Sequence, residues 1–271
     1  MNLQDFTPRH GVVTADEAQR LAAAANVDIA TLMTMLLPVA AKFARPPVSN
    51  FYVGVVSRGT TTGNLYLGAN LEFAGEALSF TVHAEQSSIS NAWMHGEEGI
   101  DLLAVNAPPC GYCRQFLNEL TTASELMIAM PQVTQPLTAL LPNAFGPRDL
   151  GITGGLMQRE KHSLVILDED EVALAAVDAA NRSYAPYSKA YAGVALRTTD
   201  GTIVSGSYAE NAAFNPSLSP LEVALSMLNL RGYAWSDIAE AALVQSGEMH
   251  TSATKAVLAA VSKVSLRLIA G

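Results

Sequence analysis

The chain has 271 residues, of which 49% are hydrophobic and 15% are charged, and its formal net charge is −9. This length is enough for two domains, and the composition excludes a disordered or coiled-coil protein. Polynucleotide binding needs a basic surface, and the sequence contains no run of Lys or Arg. These features favour a globular enzyme that acts on a small substrate with little charge.

Two helices are predicted in an N-terminal helical segment, residues 1–45. Thr14 and Glu17 form a capping-box pattern in front of an Ala-rich run. Asp28 can cap a second, apolar helix over residues 29–41. This second stretch is predicted to be a buried helix.

Neither a membrane span nor a secretory leader is expected. Residues 29–41 contain Pro38 and are followed by Lys42, so the apolar stretch is too short to cross a bilayer. Residues 1–11 have no basic region that leads into an apolar one. The two cysteines lie three positions apart, which suits a metal or redox pair rather than a disulfide framework. We therefore expect a cytoplasmic protein.

Strands and helices alternate after the N-terminal segment. The predicted elements are a hairpin of residues 51–57 and 65–70, a helix over 83–93, a strand over 102–106 and a helix over 111–120. This order predicts an α/β domain over residues 46–150, with a mixed sheet and helices packed on its faces. Sites in such domains lie where strands lead into helix N-termini.

Residues 151–271 repeat the pattern of the first half. Ser49, Tyr52 and Gly54 are echoed by Ser188, Tyr191 and Gly193, Gly68 and Glu72 by Gly206 and Glu210, and Glu85 by Glu222. Duplication with small loop deletions explains the similarity, and chance resemblance between two unrelated α/β segments is the alternative. The second copy places Pro220 opposite His83 and has no cysteine in residues 247–250, so we predict that it holds no metal.

A zinc site is predicted at His83, Cys110 and Cys113. One histidine nitrogen and two thiolates suit zinc and leave a fourth position for water, as is typical of catalytic sites. His83 begins one predicted helix and the cysteines lie at the start of another, where free N–H groups favour thiolates. Glu85 lies two residues beyond His83, so its carboxylate can reach the fourth position and move protons without binding the metal. We expect one zinc ion per chain.

Other interpretations of these residues remain open. The cysteines could form a thioredoxin-like redox pair, or a non-catalytic zinc protein could close its site with a fourth ligand from His95, His162 or His250. Arg114 and Gln115 could donate to the thiolates or lie on the helix surface.

H-x-E at residues 83–85 and P-C-x-x-C at residues 109–113 are typical of zinc deaminases. The chain also resembles the bacterial two-domain, homodimeric cytidine deaminases over nearly its whole length. The stretches that carry this resemblance are SNF at 49–51, GANLEF at 68–73, VHAEQ at 82–86, CRQF at 113–116, AFGP at 144–147 and SYAENAAF at 207–214.

This resemblance implies two related cytidine-deaminase-like domains and hydrolytic deamination of cytidine and deoxycytidine by zinc-bound hydroxide, as in pyrimidine salvage. It also implies a homodimer, in which the metal-free domain helps to enclose the partner's site through the backbone near Ala213. The implied substrate-binding residues are Phe51, Asn70, Glu72, Ala84, Phe145 and Ala213. A cytosine nucleotide or another cytosine-like base is the alternative substrate, and no nucleic-acid or membrane partner is expected.

Overall fold

The computed structural model describes Leu3 and residues 6–271, and the chain divides into two compact units. Residues 1, 2, 4 and 5, which fall within the predicted N-terminal segment, lie outside the described residues. The first unit takes in the chain up to Leu71, Val82–Gln158 and Asn211–Pro216, and the second takes in Glu72–Thr81, Arg159–Glu210 and Ser217–Gly271. Each unit therefore includes one short segment from the other half of the sequence.

A six-stranded mixed sheet lies at the centre of the first unit, in the order β1-β3-β2-β4-β5-β6. Its strands are β1 (Val12–Val13), β2 (Gly54–Gly59), β3 (Leu65–Ala69), β4 (Ile100–Val105), β5 (Met127–Met130) and β6 (Val133–Pro136). Neighbours run antiparallel except β4 and β5, which are parallel. The predicted hairpin is confirmed as β2 and β3. The N-terminal segment adds β1 to this sheet as well as helices.

The helices of the first unit are α1 (Ala15–Ala25), α2 (Ile29–Ala41), α3 (Ala84–Met94), α4 (Gly111–Leu117) and α5 (Leu137–Leu140). The predicted caps are confirmed. The Thr14 hydroxyl accepts a hydrogen bond from the Glu17 N–H at 3.3 Å, and the Asp28 carboxylate accepts one from the Thr31 N–H at 2.7 Å. α2 is buried as predicted, since Leu32 and Leu36 belong to the core that it forms with the sheet.

The second unit has a four-stranded mixed sheet in the order β10-β9-β7-β8. Its strands are β7 (Ala192–Thr198), β8 (Ile203–Ser207), β9 (Ile238–Gln245) and β10 (Leu266–Ala270), and its helices are α6 (Glu171–Asn181), α7 (Pro220–Leu230) and α8 (Thr251–Val261). The pairing repeats that of the first unit, because β7 pairs antiparallel with β8 and β9, and β9 pairs parallel with β10.

Two glycines show which residues correspond in the two units. A Cβ on Gly68 would lie 2.5 Å from the Ala84 carbonyl oxygen, and a Cβ on Gly206 would lie 2.3 Å from the Pro220 carbonyl oxygen. Any larger side chain at either position would therefore push a helix off its strand. The same close approach of helix to sheet is preserved in both copies, with Ala84 and Pro220 in equivalent places.

This correspondence corrects the predicted alignment of the repeat by one residue. α3 is capped by His83 and α7 by Ser219, so Ser219 rather than Pro220 stands opposite His83. Leu221 is consequently the counterpart of Glu85, and Glu222 is not. The sequence alignment paired Glu85 with Glu222. It therefore placed too short a deletion between β8 and α7 of the second copy.

Among the described residues, no single helix has both the length and the apolar composition needed to cross a bilayer. α1 and α2 taken together meet these two criteria, with a bend of 97° between them.

Candidate active site

Three side chains with metal-binding atoms converge at the N-termini of α3 and α4. His83 caps α3, Cys110 caps α4, and Cys113 lies in the first turn of α4. The distances are 3.7 Å from Cys110 Sγ to His83 Nδ1, 3.3 Å from Cys113 Sγ to His83 Nδ1, and 3.5 Å between the sulfurs. A tetrahedral zinc ion with ordinary bond lengths would separate these atoms by about 3.6 Å (S to N) and about 3.8 Å (S to S). Both the donor set and its spacing fit zinc.

Neighbouring groups hold these ligands in place. The Gln86 Oε1 accepts a hydrogen bond from the His83 N–H at 3.0 Å, which fixes the start of α3. The Tyr112 ring stacks on the His83 imidazole, with ring centroids 5.0 Å apart and planes inclined by 23°. Sequence reasoning missed both residues. A cap at the third helical position could have pointed to Gln86, but nothing in the sequence pointed to Tyr112.

The two cysteines have opposite acidities. The hydrogen bond between the two sulfurs is the largest cause of both shifts: it lowers the pKa of Cys110 to about 3. The same hydrogen bond, together with burial, raises the pKa of Cys113. Burial lowers the pKa of His83, but the hydrogen bond and charge of Cys110 outweigh burial and raise it overall. A divalent cation bound between these atoms would favour the thiolate form of both cysteines.

Glu85 lies beside the three ligands without being one of them. It is the second residue of α3 and only 4% exposed. Burial raises the pKa of its carboxyl, and a hydrogen bond from the Cys113 thiol partly opposes that shift. A carboxyl group with a raised pKa holds a proton more readily than an exposed glutamate, so at this place it can serve as an acid as well as a base.

Within the part of the chain that the structure describes, His83, Cys110 and Cys113 are the one set of three potential ligands whose donor atoms lie within 4.8 Å of one another. None of the suggested fourth ligands, His95, His162 and His250, belongs to this set. The closed structural site is therefore wrong, and the three ligands leave one tetrahedral position for chemistry.

Phe51 and Asn70 are connected through the backbone before β2. The Asn70 side chain accepts a hydrogen bond from the Val53 N–H and donates one to the Phe51 carbonyl, both at 2.9 Å. Asn70 is buried, whereas Phe51 is 58% exposed. Asn70 therefore holds the loop that presents the Phe51 ring. Ala84 is buried between His83 and Glu85 at the start of α3.

Phe145 is held by side chains of α4 and the residue that follows it. Its carbonyl accepts hydrogen bonds from Gln115 Nε2 at 2.8 Å and Asn118 Nδ2 at 3.1 Å, and its ring is 47% exposed. Arg114 donates to the Pro109 and Leu140 carbonyls, both at 2.8 Å. Gln115 and Arg114 thus brace the loops around the cysteines. The acceptors of these hydrogen bonds are oxygen atoms and not the cysteine sulfurs.

Two further predicted residues lie in the segments exchanged between the units. Ala213 is exposed within Asn211–Pro216, and its N–H donates to Asn211 Oδ1 at 3.0 Å. Glu72 is half-buried and begins Glu72–Thr81, which belongs to the second unit.

Two related α/β domains, one of them with an open Cys/His metal site, define a zinc-dependent deaminase. Residues 26–130 and 137–257 each match a family described as the cytidine and deoxycytidylate deaminase zinc-binding region. Cytidine deaminase from Photobacterium profundum is 51% identical over 235 residues, 85% of this chain and 79% of that protein. Cytidine deaminase from Shewanella loihica is 46% identical over 270 residues, 98% of this chain and 90% of that protein. The chain belongs to the cytidine deaminase family.

Membership of this family confirms several expectations. Both halves match a deaminase zinc-binding region, which confirms the duplication, although residues 137–257 contain none of the three ligands. The protein is a zinc-dependent hydrolase, and its Cys/His site fits deamination. The thioredoxin-like and non-catalytic interpretations of the cysteines are accordingly wrong.

Proposed function

We propose that this protein converts cytidine and deoxycytidine into uridine and deoxyuridine with release of ammonia. In this reaction a C–O bond forms at C4 of the cytosine ring and the C4–N bond to the amino group breaks. The observation that supports it best is the buried Glu85 carboxyl beside His83 and Cys113, within an open site for one metal ion.

Metal binding and proton transfer are assigned to different residues. His83, Cys110 and Cys113 would hold zinc, which when bound supplies a Lewis acid that lowers the pKa of water toward neutrality. Glu85 moves the protons. Its carboxylate accepts one from the attacking water and donates it to ring N3, then accepts the second proton of that oxygen and donates it to the amino group, which leaves as ammonia. The raised pKa of Glu85 suits both roles, because each proton can be held briefly and then released.

The remaining side chains of the proposal bind the nucleoside. Phe51 and Phe145 have exposed rings that suit packing against a flat base. Asn70 and Glu72 offer the amide and carboxylate groups that ribose hydroxyls require, and Ala84 and Ala213 complete the contacts. The hydrogen bonds from Asn70 to the loop of Phe51 add a positioning role to this assignment.

We further propose that residues 46–150 form the catalytic domain, that the metal-free domain of residues 151–271 acts through a homodimer, and that Ala213 helps to enclose the partner's site. Phe51, Phe145 and Phe214 belong to the first unit and are all exposed, as in surfaces that a second copy covers. We also propose a cytoplasmic location, because both cysteines belong to the metal site. A native mass of twice 28.6 kDa would support the dimer, and a mass of one chain would contradict it.

The proposed reaction is tested by following the absorbance of cytidine mixed with pure, zinc-loaded protein. We expect conversion to uridine with one ammonia per nucleoside, loss of turnover after chelation, and recovery when zinc is returned. Unchanged cytidine in the presence of stoichiometric zinc would overturn the proposal.

A further inference from the structure

Six residues from the second half of the sequence form a strap on the first unit, Asn211–Pro216. Near both of its ends, the backbone of the strap is hydrogen-bonded to a side chain of the first half of the sequence. The Ala212 N–H donates to Glu119 Oε2 at 2.9 Å, and the Pro216 carbonyl accepts from Gln86 Nε2 at 3.3 Å. Gln86 lies on α3 and Glu119 just beyond the end of α4, so one anchor is on, and the other close to, a helix that begins with metal ligands.

Two more contacts join the strap to α4. The Asn211 side chain donates to the Gln115 carbonyl at 3.0 Å, and the Tyr112 hydroxyl donates to the Asn215 carbonyl at 2.8 Å. Tyr112 is also the residue that stacks on His83. The position of the strap is thereby coupled to the position of a metal ligand.

The middle of the strap has a conformation that needs such support. Phe214 has a backbone φ of 60°, in the left-handed region that is unfavourable for a bulky residue. Its side chain is 66% exposed, so burial of the ring contributes little to stabilising the turn. The anchors at either end therefore hold Ala213 and Phe214 in place.

Both anchoring side chains are buried, and hydrogen bonds to the strap offset the free-energy cost of burying their polar atoms. Glu119 and Gln86 are each 0% exposed. Burying a carboxylate or an amide is unfavourable unless its polar atoms are hydrogen-bonded, and the strap backbone supplies a partner to each. Because Gln86 Oε1 also accepts from the His83 N–H, one side chain joins the metal ligand to the strap.

We propose that Glu119 and Gln86 are positioning residues that fix the strap so that Ala213 and Phe214 face the nucleoside bound by the partner subunit. The proposal rests on the substrate-binding role proposed for Ala213. Glu119→Ala leaves the Ala212 N–H without its acceptor, and we expect the KM for deoxycytidine to rise by about tenfold while kcat and zinc content change little. Glu119→Gln keeps an acceptor oxygen and is expected to restore most of the affinity.

A second readout does not depend on turnover. Amide hydrogen exchange of the peptide that covers the strap should be faster in Glu119→Ala than in the wild type, with the rest of the first unit unchanged. Glu125→Ala removes a nearby exposed carboxylate and serves as the control, with wild-type exchange and KM expected. Gln86→Glu keeps the acceptor for His83 but loses the donor to Pro216, and should also speed exchange in the strap.

The outcomes of these experiments distinguish failure of the positioning role from failure of the proposed function. Wild-type exchange and KM in Glu119→Ala would overturn the positioning role. Faster exchange spread evenly over the first unit, without rescue by Glu119→Gln, would also overturn it and indicate a general structural role. If strap exchange responds as expected but wild-type protein does not deaminate cytidine, the anchoring stands and the proposed function fails.

Discussion

Gln86 and Glu222 occupy the same position in equivalent helices of the two domains. Gln86 accepts a hydrogen bond from the His83 N–H at 3.0 Å, and Glu222 accepts one from the Ser219 N–H at 2.8 Å. Each is the third residue of its helix and reaches back to the residue that caps it. The duplicated halves have thus kept the helix start, while Ser219 replaced the metal ligand.

The buried Glu222 predicts a dependence of stability on pH. Burial raises the pKa of this carboxyl from 4.5 to about 7. The folded protein therefore binds more protons than the unfolded chain between these values, and the stabilising effect present below pH 4.5 is lost as the pH rises through 7. The loss corresponds to about 3 kcal/mol, since each pKa unit is worth about 1.4 kcal/mol.

Glu222→Gln tests this prediction because the amide stays neutral and still accepts from Ser219. The thermal midpoint of the variant should approach that of the wild type at pH 4.5 and exceed it increasingly up to pH 8. Glu125→Gln, at an exposed position, provides the control. Parallel pH profiles for wild type and Glu222→Gln would show that ionisation of Glu222 does not affect stability.

Only the first domain is expected to bind zinc. We expect one zinc per chain, because Ser219 stands opposite His83 and α8, capped by His250, has no cysteine at its start. His83→Gln should reduce bound zinc at least tenfold, whereas His250→Gln should leave it unchanged. Elemental analysis of dialysed protein measures both, and two zinc ions per wild-type chain would refute this account of the second copy.

Nucleotides, which carry phosphate, should be poor substrates of this protein. The net charge of −9 disfavours anions, and both donors of Arg114 described above are engaged with backbone carbonyls. We expect kcat/KM for deoxycytidine monophosphate to be at least about tenfold below that for deoxycytidine at low salt, with a smaller gap at high salt. Equal values for the two substrates would instead favour a nucleotide deaminase.

The features that sequence could predict are those set by neighbouring residues. The caps Thr14 and Asp28 each accept a hydrogen bond from a residue three positions further on, and the residues of each ligand motif lie within one helical turn. Such patterns can be seen in the sequence. The strap depends on contacts such as that between Gln115 and Asn211, which are 96 residues apart. The misaligned repeat at Glu222 has a similar cause, because the length of the connection between β8 and α7 leaves no local pattern.

Replacement of Glu85 by Gln tests the central claim most directly. The variant keeps the shape of the side chain and all three metal ligands but cannot carry a proton, so we expect full zinc content, a wild-type thermal midpoint and a fall in kcat for cytidine of at least about a thousandfold. Zinc-loaded Glu85→Gln that deaminates cytidine at the wild-type rate would contradict the account.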